Sequence, residues 1–84
     1  DLFEGTVDEA AVHPREIVRA ALRSHATGVI LVHNHPSGRT EPSAEDREIT
    51  RKIQSALETV AMKLIDHIIV GDHRYFSFRE HLLV

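Results

Sequence analysis

Eighty-four residues make one domain or part of one, and a chain this short hides only about 60% of the surface it exposes when unfolded. A hydrophobic share of 42% and a formal charge of −3 are ordinary for a globular protein, and the absence of cysteine removes disulfides, thiolate metal sites and cysteine nucleophiles together. No apolar run approaches the roughly 20 residues that span a bilayer, no signal peptide is visible, and the charge gives no support to a duplex-binding face.

Residues 2–7, Leu-Phe-Glu-Gly-Thr-Val, read as an extended segment or the end of a strand. Asp8 to His13 is a connection. Pro14 suits the first position of a helix, where its missing N–H has no intrahelical partner to lose. Ile17, Val18, Ala21 and Leu22 then recur at helical spacing to about His25, and Thr27-Gly28 ends that helix. Val29 to His33 is a short β-branched apolar run that reads as a buried central strand. Strand, helix, strand in this order implies a parallel pair joined by a crossover. Asn34 to Pro42 holds two prolines and a glycine and reads as a loop. Ser43 takes the N-cap of a second helix that runs to about Met62, with Ile49, Ile53, Ala56, Leu57 and Val60 on one face. Ile65 to Val70 is another buried strand. Gly71 to Arg74 turns, Tyr75 to Phe78 pairs back as a hairpin arm, and Arg79 to Val84 is a tail with room for one helical turn.

Chemistry concentrates in His33-Asn34-His35-Pro36, followed by Ser43 and Asp46. Seven histidines in 84 residues make an accidental His-x-His pair easy to find, so the downstream residues carry the weight. Positions i and i+2 of an extended chain face the same side, so His33 and His35 can converge on one ion. Ten residues separate His35 from Asp46, enough for a loop and the first turn of the next helix to bring a carboxylate back. Two imidazole nitrogens and one carboxylate oxygen leave a fourth position for water, the arrangement of a catalytic rather than a structural zinc. Ser43 is expected to cap the helix through Ser-x-x-Asp and to serve as a catalytic donor to a developing oxyanion.

The pattern His-x-His-Pro, six residues, Ser, two residues, Asp is that of the JAMM motif, met here with every interval matched by His33, His35, Pro36, Ser43 and Asp46. Phe3-Glu4-Gly5-Thr6, His13-Pro14-Arg15-Glu16, His33-Asn34-His35-Pro36-Ser37-Gly38, Asp66-His67-Ile68-Ile69-Val70-Gly71 and Phe76-Ser77-Phe78-Arg79-Glu80 narrow the resemblance to the bacterial RadC family of JAB/MPN domains, over the whole chain. That resemblance implies an α/β fold with a mixed central sheet flanked by helices, the cytidine-deaminase-like architecture. It implies zinc held by His33, His35 and Asp46, with Ser43 beside its water. It also implies a metallopeptidase or isopeptidase with a peptide or isopeptide substrate, while RadC proteins carry a historical DNA-repair label. The glutamate that acts as general base in this group belongs N-terminal to Phe3, and Glu4, Glu9 and Glu16 do not match it. The chain therefore reads as the C-terminal two-thirds of the domain, beginning after the native N-terminus. It is expected to bind metal, to turn over more slowly by about 10²–10⁴, to leave apolar surface that favours homo-oligomers, and to reside in the cytoplasm.

Two other function classes stay open. A metal-dependent nuclease or repair module would contact DNA, which the charge does not favour. Contiguous His-Asn-His is not the dispersed HNH nuclease motif, and Asn34 is not the apolar middle residue of a His-hydrophobic-His nuclease. A non-catalytic interaction domain would have little reason to keep His33, His35, Ser43 and Asp46 together. A zinc deaminase is excluded for want of cysteine. Of the remaining residues, His13, His25, His73 and His81 are expected at helix ends, turns or the tail. His67 is expected as a core or metal-supporting histidine. Arg15, Arg19 and Arg23 read as a solvated helix face, and Arg39 as a loop residue within reach of a substrate.

Overall fold

A computed structural model describes residues 2–7 as backbone and residues 13–84 with their side chains. The connection expected from Asp8 lies outside the described residues up to position 12. Six elements follow in order: β1 (Leu2–Val7), α1 (Pro14–Arg23), β2 (Gly28–Asn34), α2 (Ala44–Thr59), β3 (Lys63–Val70) and β4 (Tyr75–Ser77). They form one mixed sheet in the order β1-β2-β3-β4. β1 runs parallel to β2 and β2 to β3, while β4 returns antiparallel as the hairpin arm. The α/β class with a mixed sheet is therefore as expected.

Two parallel crossovers that step the same way across the sheet put both helices on one face when both are right-handed. α1 and α2 do contact each other, and a single core lies beneath them. Ile17 and Ala21 of α1, Ile53 and Leu57 of α2, Val29 and Leu31 of β2 and Leu64 of β3 are all buried in it. Full burial of each large aliphatic side chain contributes roughly 1.5–3 kcal/mol. On the other face Ile30, Val32 and Ile68 are only half-buried.

Both helices stop earlier than their periodicity suggests, α1 at Arg23 and α2 at Thr59, and both stop the same way. His25 and Ala61 adopt the left-handed conformation, with φ of 54° and 60°. Behind α1, His25 N–H donates to the Leu22 carbonyl (3.1 Å) and Ala26 N–H to the Ala21 carbonyl (3.0 Å). Behind α2, Ala61 N–H donates to Glu58 (3.1 Å) and Met62 N–H to Leu57 (2.8 Å). These are paired Schellman caps, normally built on glycine. Here the residue after each left-handed position, Ala26 or Met62, is buried against the core, which offsets the backbone cost.

β3 carries an irregularity that bears on the site. Its register to β2 jumps between Val29 and Ile30, so that Leu64 and Asp66 pair with consecutive residues and Ile65 is the extra one. A bulge inverts the alternation that follows it. Leu64, His67 and Ile69 are consequently the buried residues of β3, where strict alternation would set Leu64 against the other two.

Relieving a left-handed alanine should stabilise the fold. Ala61→Gly is expected to raise the unfolding free energy by about 0.5–1 kcal/mol, whereas Ala56→Gly inside α2 should lower it by a similar amount. Urea denaturation of the two variants beside the parent checks the sign of each.

Candidate metal centre

The site stands where the carboxyl end of β2 meets the amino end of α2. His33 lies near the end of β2, and the chain stays extended beyond it because His35 N–H donates to the Val70 carbonyl (3.1 Å). Both imidazoles therefore face the same side, with ring centroids 4.6 Å apart and planes near perpendicular. The loop then returns to α2, whose first turn is closed by a reciprocal box. Asp46 N–H donates to Ser43 Oγ (3.0 Å), and Ser43 N–H donates to Asp46 Oδ2 (2.8 Å). This box turns the Asp46 carboxylate toward the histidines. Oδ2 lies 3.2 Å from His35 Nε2, and Oδ1 lies 3.7 Å from His33 Nδ1. One ligand atom from each of the three residues falls within 4.8 Å of the others, and all three side chains are buried.

The chemistry at this junction suits a cation. His35 Nδ1 lies 2.8 Å from the Arg39 carbonyl oxygen, which can only accept. Nδ1 therefore donates, and whenever the ring is neutral Nε2 presents a bare lone pair. That buried nitrogen has no hydrogen-bond partner and faces a carboxylate oxygen. With the ring neutral, two lone pairs are opposed in a dry pocket, and a proton or a metal ion between them relieves the repulsion. Ligand atoms within 4.8 Å of one another are close enough for one metal ion to be held by all three residues. Burial pushes the Asp46 carboxyl up. Hydrogen bonding from Ser43 and the charges of His33 and His35 pull it down further, so its pKa ends below the usual value. Asp46 is thus held as the anion that a metal requires.

The profile of the RadC-like JAB domain matches residues 1–83. This chain belongs to the RadC-like JAB domain family. Curated relatives are called UPF0758 proteins, a name that states no activity. That of Actinobacillus succinogenes is 49% identical over 80 residues, covering 95% of this chain and 36% of the relative. That of Saccharophagus degradans is 51% identical over the same length and the same shares. That of Pasteurella multocida is 46% identical over 84 residues, 100% of this chain and 38% of the relative. The chain thus spans little more than a third of the relatives it matches.

In this RadC-like JAB domain, Ser43 is an exposed N-cap, as its position before Ala44-Glu45-Asp46 suggests. Arg39 supports the site through its backbone carbonyl, while its side chain is exposed. His13 is the N-cap residue of α1, His25 its left-handed C-terminal residue, His73 an exposed turn residue and His81 a tail residue; none of them joins the metal group. Among the described residues no helix is long and apolar enough to cross a membrane.

Thr50 escapes a reading by hydropathy, although one signal was available. It sits one turn after Asp46 on the buried stripe that continues through Ile53 and Leu57, a polar residue where an apolar one is expected. Its hydroxyl donates to the Asp46 carbonyl (2.6 Å) and also lies 2.7 Å from His67 Nδ1. A hydroxyl has one proton, so the imidazole N–H must donate in the second contact. His67 therefore carries its proton on Nδ1. Its ring lies between His33 (centroids 5.6 Å apart, 18° between planes) and Phe78 (4.7 Å, 11°). Asp66, beside it in sequence, faces elsewhere. Its carboxylate accepts from His67 N–H (2.7 Å), the Ser77 hydroxyl (2.6 Å) and Arg79 N–H (3.0 Å), which ties β3 to β4 and the turn that follows.

The loop between His35 and Ser43 is braced by Gly71. A Cβ at that position would collide with the Gly38 carbonyl oxygen and with Thr40 Cγ2, while Asp72 N–H donates to that same carbonyl (3.0 Å). Gly71→Ala is expected to lower stability by about 1–3 kcal/mol by forcing this loop off the hairpin, as thermal unfolding would show. A second expectation concerns acid. Burial first, and then the charge of His33, lowers the His67 pKa to about 4. The unfolded chain takes this proton first, so the contribution is complete above about pH 6.5 and is lost as pH falls toward 4. Metal-free protein should lose on the order of 2–3 kcal/mol across that window. Urea titrations at about pH 7.5 and 5 should show a smaller loss in His67→Phe than in the parent.

Proposed function

We propose that this domain is the metal-bearing part of a zinc-dependent amide hydrolase, a metallopeptidase or isopeptidase. The observation that carries the reading is the Nε2 of His35, buried without a hydrogen-bond partner 3.2 Å from the Asp46 carboxylate, with His33 beside it. Zinc held by His33, His35 and Asp46 would supply Lewis acidity and a water of pKa near 7.

The residues of the chain then have distinct tasks. Asp46 stays ionised and keeps its orientation because Ser43 N–H holds one of its oxygens. The Arg39 carbonyl accepts from His35 Nδ1, so the neutral ring offers Nε2 to a metal. Ser43 accepts the Asp46 N–H through a lone pair, so its hydroxyl proton is not used by the cap. That proton can turn from the Asp46 carboxylate to oxygen charge developing on a substrate carbonyl, and Ser43 is exposed enough to meet one. No described glutamate joins the three clustered side chains. The reading places these residues in the C-terminal part of the catalytic domain and assigns the proton acceptor to the glutamate that the JAMM pattern puts N-terminal to Phe3.

The test uses the full-length protein that contains this domain, loaded with zinc and freed of excess. One zinc per domain is expected by elemental analysis, together with chelator-sensitive cleavage of peptide or isopeptide reporters that added zinc restores. His33→Ala and Asp46→Ala should abolish both, and Ser43→Ala should retain zinc while losing about 10²–10³ in kcat. A carefully loaded full-length protein that holds no zinc would sink the reading.

A further inference from the structure

We propose that Thr50 and His67 act as a pair of positioning residues for the metal centre, a proposal that rests on the metal-binding reading above. The ligands come from separate places: His33 from β2, His35 from the loop after it and Asp46 from α2. His35 is oriented by the Arg39 carbonyl and Asp46 by Ser43. Neither device links the helix to β3. The Thr50–His67 pair does. The His67 ring N–H donates to Thr50 Oγ1 (2.7 Å), and the Thr50 hydroxyl donates to the Asp46 backbone carbonyl (2.6 Å). The first turn of α2 is thereby hung from β3. The same ring lies nearly parallel to His33, with Phe78 against its other face. One side chain from β3 thus restrains the element that carries Asp46 and the ring plane of His33.

A purely space-filling role explains these residues poorly. Thr50 is 1% exposed and His67 2% exposed, so neither meets solvent or a substrate. Valine would fill the Thr50 position without a hydroxyl to satisfy, and burying a hydroxyl brings a cost that only its hydrogen bonds offset. The bulge at Ile65 is what brings His67 to the same face as the core residue Leu64.

The experiment measures the zinc Kd of the full-length protein by competition with a chromophoric chelator, the visible spectrum of the cobalt-substituted protein, and the melting temperature of the metal-free protein. Thr50→Val and His67→Phe should each weaken zinc binding by about 10–100-fold and shift the cobalt bands. Thr50→Ser restores the hydroxyl, and His67→Asn restores a donor at the Nδ1 position; both should recover most of the affinity. If Thr50→Val and His67→Phe bind zinc within about threefold of the parent, with the parent's cobalt spectrum and only a lower metal-free melting temperature, the pair merely packs and the proposal is overturned. Should Thr50→Val fail to fold, His67→Phe against His67→Asn decides by the same readouts. A parent protein that binds no zinc would instead defeat the metal-binding reading itself, and this proposal with it.

Discussion

Asp46 has two jobs that one geometry must satisfy. As the third residue of α2 it closes the capping box with Ser43, and as a buried carboxylate it confronts two imidazoles at the end of β2. The helix amino end favours the anion through unpaired N–H groups and the local dipole. Those same groups fix its direction. A carboxylate that must cap a helix cannot swing freely, so the position of α2 sets the position of the charge. The rest of the fold can be understood as the scaffold that delivers this helix end to this strand end.

Three features of the scaffold bear directly on that delivery. The parallel β1-β2-β3 arrangement brings the carboxyl ends of neighbouring strands to one side, the usual place for a site in such sheets. The helix caps at His25 and Ala61 turn the chain sharply into β2 and β3, with Ala26 and Met62 tucked into the core. Gly71 lets the hairpin approach the loop between His35 and Ser43 closely enough for Asp72 to bond to Gly38. The buried polar residues are therefore clustered by the fold, and the apolar core lies beside them under the two helices. Such a cluster is costly to hide without partners, and hydrogen bonds from Ser43, Arg39 and Thr50 meet part of that demand.

Much of this was readable from the residues. The spacing His33, His35, Ser43, Asp46 names the candidate metal group, because i and i+2 share a face in a strand and Ser-x-x-Asp closes a helix start. Apolar runs separated by Pro14, Gly28, Pro42 and Gly71 mark the elements in their observed order. Helix ends were harder to read. His25 and Ala61 stand where glycine would have announced the stop, and the energy that permits them comes from burial of the residues that follow. Thr50 was hidden for a related reason: hydropathy counts it as polar, while its partners lie 4 and 17 residues away.

The sequence by itself determined the candidate ligand types, their spacing and the strand–loop–helix frame that carries them, since these follow from local periodicity and capping chemistry. Only the tertiary structure decided which nitrogen of His35 the Arg39 carbonyl engages, where His67 faces and what holds the first turn of α2 to the sheet. Those outcomes depend on a bulge at Ile65 and on hydrogen bonds between strand, loop and helix. No local pattern encodes them, because each arises when distant backbone and side-chain groups are forced to share one buried volume.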